Sequence, residues 1–286
     1  MYTAKIENAN NEILTLTQTE ERWQVVSITG LNPPAAQVNT TAIAGMDGAK
    51  FNSAKLNTRQ IVTLLRLKGD VEDNRQYLYH FFRTKEWCKF YFKNANRDVF
   101  IEGRIETCEV SLFGLGEAMQ VSIICPNPYF KSVDEIETEL SSVTRMFYFP
   151  FAIDEDDPIP FSELDITGST NIYNSAEADA GLIFTITFNN AASTLKLLNE
   201  TTGETFELDY SFSDGDTVII NTNKGEKSVR LIRNAVEYNL FSALVRGSTF
   251  FQLQIGDNYF SYLADGGAEN QNVFVTLSRY DTFRGV

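Results

Sequence analysis

The chain has 286 residues, a hydrophobic content of 43% and a formal net charge of −14, which allows one large or two ordinary domains with a real core. The acidic balance argues against a specific nucleic-acid-binding surface, because affinity for phosphates depends on clustered Lys and Arg. No apolar run approaches the roughly 20 residues of a membrane helix, and the polar start "MYTAKIENANNE" has no signal-peptide core, so membrane insertion is not expected.

The chain opens with two short β-prone segments, Tyr2 to Glu7 and Glu12 to Thr17, on either side of "NANN". This pattern predicts a hairpin, and "WQVVSITG" predicts a further strand. The next stretch, "LNPPAAQVNTTAIAGMDGAKF" (31–51), is rich in Pro, Gly, Ala, Asn and Thr. It has few large apolar residues to bury, so we expect an extended loop or a protruding arm.

After the arm, "RQIVTLLRLKG" predicts a strand and residues 70–84 predict the main helix. Asp70 is a good N-cap, and Glu72 and Asp73 lie in the first turn, where the helix dipole favours acids. An apolar stripe predicts that this helix lies on a sheet; its members are Val71, Tyr77, Leu78, Phe81 and Phe82.

Three strands follow in "WCKFYFK", "RDVFIEGRIETCEVSLF" and "EAMQVSIIC". In the second, the apolar positions change parity near Glu106 and Thr107, which indicates a β-bulge or a bend between two strands. The prolines of "CPNPYF" should end the third strand at Cys125. We expect Tyr129 and Phe130 to pack against the sheet edge at this exit.

The stretch from about 131 to 161 is an acidic, proline-broken connector, and we place the domain boundary near Ser141 to Met146. From Leu164 onward, short alternating segments separated by polar turns predict an antiparallel sandwich or jelly roll. "TFFQLQIG" is predicted as one of these strands, and "RNAVEYNLFSALV" as a helical exception.

The expected fold is therefore mainly β. Residues 1–143 (net charge −3) form a β-sandwich-like domain with one packed helix and an arm, and residues 144–286 (net charge −11) form a β-sandwich.

Residues in patterns typical of catalysis or metal binding are scarce. The single histidine, His80, lies in the predicted helix and is expected to be a packed or surface residue, so a triad or zinc enzyme is not indicated. Cys88, Cys108 and Cys125 have no paired spacing and are interpreted as buried thiols. We expect no cofactor, no metal and no enzymatic activity.

The order of these parts resembles the distal tail proteins of long-tailed, non-contractile bacteriophages. The matching features are the N-terminal hairpin, the Pro/Gly-rich arm, "KGDVEDNRQYLYHFF", "IEGRIETCEV", the "CPNPYF" exit and the C-terminal "FFQLQIGDNYFSYL" to "DTFRGV". In this family the last module commonly has a Gly-Asn turn and a terminal aromatic-x-x-x-x-Gly-Val, which match Gly256, Asn258, Tyr280, Gly285 and Val286. The acidic stretch from Asp154 to Asp157 has no family counterpart.

The resemblance implies a virion protein at the distal end of the tail, assembled in the host cytoplasm. Such proteins form a ring, commonly a hexamer, that joins the tail tube to the tail-tip or tail-lysin protein. The N-terminal domain builds the ring and a belt-like arm embraces the neighbouring subunit; the C-terminal, galectin-like sandwich is a site for receptor-binding proteins or host-wall saccharides. The predicted arm contacts are Pro33, Pro34, Val38, Ile43, Met46 and Phe51.

Two alternatives stay open at the level of sequence. A carbohydrate-binding module would use exposed aromatic rings, for which Tyr259, Tyr262 and Phe274 are the candidates, against the simpler interpretation that they are core residues. An enzyme, such as a glycosidase or lyase, would use "DEDD" (154–157), and a calcium site would use Asp154, Asp156 and Asp157. The simpler interpretation of this stretch is a solvated acidic linker.

Overall fold

The computed structural model describes residues 2–16, 22–111, 117–140, 142–145, 162–165, 169–265 and 273–286. They divide into two compact units. Unit 1 comprises Met1–Val133 together with Thr282–Val286, and unit 2 comprises Asp134–Asp281. This division differs from the boundary predicted near Ser141 to Met146. Residues 136–139 already pair with a strand of unit 2, and the last five residues return to unit 1.

Unit 1 is built from antiparallel strands and one helix. In chain order they are β1 (Thr3–Asn8), β2 (Ile13–Thr15), β3 (Trp23–Thr29), β4 (Ala36–Ala42), β5 (Ala49–Leu56), β6 (Arg59–Leu67), α1 (Val71–Phe81), β7 (Trp87–Lys93), β8 (Asp98–Ser111), β9 (Ala118–Cys125), β10 (Phe130–Ser132) and, after unit 2, β23 (Thr282–Phe283).

One nine-stranded sheet organises the core of unit 1. Its order is β2-β1-β7-β8-β9-β6-β3, with β10 paired to both β8 and β23. A single cluster of buried side chains includes residues from both edge strands of this sheet, such as Leu14 on β2 and Trp23 on β3. The sandwich-like arrangement expected here is thus made by one continuous sheet around one core. The predicted N-terminal hairpin is confirmed as the β1–β2 pair.

The long strand β8 contains the predicted bulge. Its pairing with β9 shifts between Ile105 and Thr107, so Glu106 is the additional residue. A bulge reverses which face the following side chains occupy, and this explains the parity change in the sequence. The next strand, β9, ends at Cys125 as predicted, and Phe130 is fully buried just beyond the prolines.

Helix α1 covers one part of this core. The Asp70 carboxylate accepts a hydrogen bond from the Asp73 backbone N–H, which confirms the N-cap. Leu78, Phe81 and Phe82 are buried. The helix ends at Phe81 rather than at Thr84, and the chain soon needs a left-handed residue, Lys85, with φ 74°.

Unit 2 is a β-sandwich. Its strands are β11 (Ile136–Glu139), β12 (Ser142–Arg145), β13 (Ser162–Asp165), β14 (Thr170–Asn174), β15 (Ile183–Phe188), β16 (Ala192–Asn199), β17 (Glu204–Phe212), β18 (Thr217–Asn221), β19 (Ser228–Arg233), β20 (Val236–Asn239), β21 (Gly256–Asp265) and β22 (Val273–Arg279). One sheet has the order β11-β22-β15-β18-β19-β20 and the other has the order β14-β21-β16-β17; β12 and β13 pair with each other.

The inner faces of the two larger sheets share one core. The predicted alternation holds in β15, where Leu182 just before the strand and then Phe184, Ile186 and Phe188 are buried. Aromatic contacts join the sheets: Phe184 meets Phe260 edge-on at 6.2 Å, and Phe188 stacks on Phe212 at 4.3 Å. Such contacts add stability beyond the area they bury.

Two predictions for unit 2 are wrong. "RNAVEYNLFSALV" is a hairpin followed by one short 3-10 turn, Phe241–Ala243. Asn234 and Ala235 both adopt positive φ, as a tight hairpin turn requires. "TFFQLQIG" is not a regular strand before Gly256. It makes one isolated bridge, between Leu253 and Ala180, while Phe251 and Leu253 fill the core. Asp154 to Asp157 lie outside the described residues.

Candidate assembly surface

The arm is a two-stranded hairpin that stands away from the rest of unit 1. Strands β4 and β5 pair only with each other in the described structure, and every side chain from residue 35 to 55 is exposed. Its base is closed by the Asn57 N–H, which donates to the Ala35 carbonyl at 3.0 Å. A hairpin that buries none of its side chains is marginal alone in water, so this segment is suited to contact another surface.

The two faces of the arm differ in chemistry. Pairing shifts between Asn39 and Thr40, which makes Asn52 a bulge residue. The bulge places Phe51 on the same face as Val38 instead of the opposite one. The register then gives an apolar face of Ala36, Val38, Thr40, Ala42, Ala49, Phe51, Ala54 and Leu56, and a polar face of Gln37, Asn39, Thr41, Lys50, Ser53 and Lys55. Val38 is 56% exposed and Phe51 is 60% exposed.

The tip of the arm holds a second apolar group. Ile43 and Met46 are exposed and line a shallow hollow of about 230 Å³. Gly45 and Gly48 adopt positive φ here, which turns the chain back toward β5. The predicted arm residues therefore lie in separate groups, with Val38 and Phe51 on the apolar face and Ile43 and Met46 at the tip. Pro33 and Pro34 lie at the root, before β4 begins.

The root of the arm is organised around Arg59, the first residue of β6. Arg59 is 3% exposed, and its guanidinium donates to four backbone carbonyls, those of Gly30, Asn32, Pro128 and Arg284. It also lies over the Phe130 ring, 4.5 Å from the centroid. Burial lowers the pKa of Arg59. Sequence reasoning missed this residue, although its odd position in "RQIVTLLRL" lies in register with the buried Ile61 and Leu65.

The last five residues meet the same root. The Val286 N–H donates to the Leu31 carbonyl at 3.1 Å, and Arg97 donates to the Gly285 carbonyl. A Cβ at Gly285 would lie 3.0 Å from Pro33 Cδ, so a side chain at this position would press against the arm root. The terminal Gly-Val noted in the sequence thus has a packing role beside the arm.

The aromatic residues proposed for saccharide contact do not form one site. Tyr262 is 6% exposed and its hydroxyl donates to the Val273 carbonyl; burial raises its pKa to about 12. Tyr259 and Phe274 are exposed but lie on strands of different sheets. Tyr262 is therefore a core residue, because its even position in β21 faces inward with Phe260.

A different pair of rings does share one surface. Tyr173 on β14 is 60% exposed and lies diagonally across the strand pair from Tyr259. Between them, the Asn171 amide donates to the Asp257 carboxylate at 2.9 Å. The alternating pattern "TNIYN" is the sequence signal for Tyr173, but a strand of five residues is too short to show from sequence which positions face outward.

The single histidine and the three cysteines all lie among the described residues of unit 1. His80 is exposed on α1 beside Arg83. Burial raises the thiol pKa of Cys88 and Cys125 to about 12 and of Cys108 to about 11, which opposes thiolate formation. Within the described ranges, no group of three or more His, Cys, Asp or Glu side chains is placed to hold a metal ion, and no helix is long and apolar enough to span a bilayer.

Comparison with known families gives a match within unit 2. Residues 175–278 match the model of the siphovirus-type tail component, C-terminal domain. The resemblance to the distal tail protein family is confirmed. A search of curated proteins gives no significant match.

Solved structures extend this likeness to the fold of the whole chain. The Dit protein of phage SPP1, described as a paradigm of the hub adsorption apparatus in phages that infect Gram-positive bacteria, matches with a TM-score of 0.70 and 15% identity over 99% of both chains. The phage P2 baseplate in its activated conformation with calcium matches with a TM-score of 0.52 and 12% identity, over 97% of this chain and 98% of that chain. The strontium form of that baseplate gives 0.52 and 11%. The chain thus shares its fold with these structures over almost its whole length.

Proposed function

We propose that this chain is a structural, non-enzymatic component at the distal end of a long, non-contractile phage tail. Copies of it form a closed ring, six in number by analogy with the family, which joins the tail tube to the tail-tip or tail-lysin protein. The exposed amphipathic arm is the observation that carries the proposal. Its apolar face packs on no other surface in the described part of a single copy, so it is suited to contact a second copy. The tail-component match of unit 2 and the fold likeness support the virion location.

The ring requires a head-to-tail contact that closes by rotation. The apolar face of the arm, with Val38 and Phe51, packs on the neighbouring copy, and its polar face with Lys50 and Lys55 stays in water. Removing an exposed phenylalanine ring from water contributes on the order of 1–2 kcal/mol. Small alanines elsewhere on this face allow the two backbones to approach closely.

The ring also surrounds a passage for DNA. A net charge of −14 suits a wall that lets DNA pass without binding it, so no specific nucleic-acid binding is assigned. Unit 2, as a galectin-like module, supports the receptor-binding proteins of the tail tip.

A second role, contact with host-wall saccharides, is supported by Tyr173 and Tyr259 on one sheet face. Exposed rings beside a polar pair such as Asn171 and Asp257 suit stacking on a sugar ring with hydrogen bonds at its edge. Titrating cell-wall saccharides into the full chain and its Tyr173→Ala and Tyr259→Ala variants tests this role. Binding that survives both substitutions, or no binding by the parent protein, removes it.

Mixing the purified chain with the tail tube and tail-tip proteins of the same phage tests the main proposal. We expect one complex that contains all three proteins on size exclusion. Separate elution of this chain under conditions where tube and tip proteins are folded would overturn it.

A further inference from the structure

The arm has few means of holding its own direction. Its side chains from residue 35 to 55 are exposed, so the orientation is set by the two chain segments at its root, 30–34 and 57–59. Strand β4 of seven residues spans about 23 Å. A 20° tilt at the root would move the tip by about 8 Å, which exceeds the roughly 4.8 Å between paired strands. An arm that must meet a neighbouring copy in register therefore needs a rigid root.

Arg59 supplies rigid contacts at this point. Its planar guanidinium carries donors in several directions, and all four acceptors that it meets are backbone carbonyls from three separate segments. Gly30 and Asn32 belong to the arm root, Pro128 to the exit from β9, and Arg284 to the chain's last segment. A lysine ammonium has the charge but lacks this fixed fork.

Residues 282–286 complete the same structure. Phe283 pairs with Phe130 in the β10–β23 ladder, and its ring lies 4.7 Å from the Arg97 guanidinium carbon. The Val286 N–H reaches the Leu31 carbonyl, and Gly285 lies against Pro33. The segment contacts the root both directly and through Arg59.

We propose that residues 282–286 form a latch that fixes the direction of the arm, with Arg59 as the positioning residue between them. The inference rests on the proposed function only for the role of the arm in assembly. The latch itself lies within a single copy of the chain. The latch also implies an order in which the parts of unit 1 become fixed during synthesis. Residues 31–56 are synthesised long before 282–286, so the arm gains its final direction only after unit 2 has been made.

Distance measurement between two spin labels tests the latch in the monomer. One label is placed by Asp47→Cys at the arm tip and the other by Asn96→Cys in the exposed turn before β8, in full-length protein at a concentration below assembly. We expect one narrow distance distribution in the parent, and a distribution about twofold broader or more in Arg59→Met and Gly285→Val, since a loosened root gives tip displacements of several ångströms.

Two controls separate loss of the latch from loss of folding. Arg66→Lys changes an exposed arginine on the same strand and should leave the distribution narrow. Tryptophan fluorescence reports on unit 1, because both tryptophans, Trp23 and Trp87, lie there. If Arg59→Met does not fold, Gly285→Val alone decides.

Hydrogen exchange gives a second readout in the same samples. The Val286 amide should exchange about 10-fold faster or more in Arg59→Met, because its acceptor at Leu31 is no longer fixed. Distributions and exchange rates equal to those of the parent, in folded variants, would overturn the proposal. A parent that forms no ring would overturn the proposed function and leave this result unaffected.

Discussion

The guanidinium of Arg59 donates a hydrogen bond to the backbone carbonyl of Arg284 across 2.6 Å, although 225 residues separate them in the sequence. A buried cation is costly unless its donors are satisfied, and here backbone carbonyls provide that satisfaction. The contact links the root of the arm to the last residues of the chain. The arm, which we propose as the assembly element, is therefore held by a contact that forms only when residues 282–286 have folded onto unit 1.

Shortening the arm should separate folding from assembly. Replacing residues 37–55 by Asn-Gly leaves the Ala36–Leu56 pair closed by a favourable two-residue turn. Because the removed side chains are exposed, the unfolding midpoint should change little, whereas light scattering should show loss of the ring. Rings that persist in this variant would refute the arm as the inter-subunit contact.

The apolar face of the arm predicts that a single substitution on it weakens association. Phe51→Ala should weaken association by about 10-fold or more for each contact, because a buried aromatic anchor is lost, with no loss of thermal stability in the monomer. Tyr173→Ala is the matched control, since both rings are 60% exposed in one copy. Equal association constants for the two variants, measured by sedimentation, would show that Phe51 does not lie in the contact.

The Asp216–Arg233 pair predicts a pH dependence for unit 2. Hydrogen bonds from Arg233, followed by one from the Ser213 backbone N–H, lower the pKa of the Asp216 carboxyl, which is 1% exposed on its side chain. A lowered folded-state pKa means that the stabilisation is present above the unfolded value of about 4 and is lost as pH falls through the folded-state value.

Asp216→Asn should therefore lower the thermal midpoint of unit 2 at pH 7, and the difference from the parent should shrink below about pH 4. Circular dichroism melts at both pH values measure this. Glu237→Gln is the control, because its pair with Arg230 is exposed on both sides and such pairs contribute little. A constant difference at all pH values would contradict the assignment.

We predict that the three cysteine thiols react slowly with thiol reagents in the native protein. Since burial raises their pKa values to about 12, 12 and 11 for Cys88, Cys125 and Cys108, almost no thiolate exists at pH 8. We expect slow reaction with Ellman's reagent in native protein, with Cys108 fastest because it is only partly buried, and rapid reaction of all three in denaturant. Fast modification of Cys88 under native conditions would show that its core opens easily.

Local patterns were sufficient for much of the fold. The β8 bulge follows from the parity change at Glu106, and the helix start follows from Asp70, since both signals lie within a few residues of the structure that they specify. The errors arose where tertiary contacts override propensity. In "TFFQLQIG", Phe251 and Leu253 alternate as in a strand, but they fill the sandwich core from an irregular segment.

The candidate site was predicted only in part. Composition alone located the arm, because a segment with few large apolar residues has little surface to bury in a core of its own. Its two faces depend on the Asn52 bulge. The sequence gives no parity signal for this bulge, because Phe51 is the only large apolar side chain on β5 before Leu56. The contact of Arg59 with Arg284 has no local signature, since it depends on chain segments that meet only in the folded unit.

The central claim is that copies of this chain assemble through the arm into a closed ring. Negative-stain imaging of the purified full-length protein, with its mass from light scattering, tests this most directly. The account predicts rings of uniform size with a mass that is an integral multiple of 32.3 kDa, six-fold by family analogy. Protein that remains monomeric at high concentration, even beside the tube and tip proteins, would contradict it.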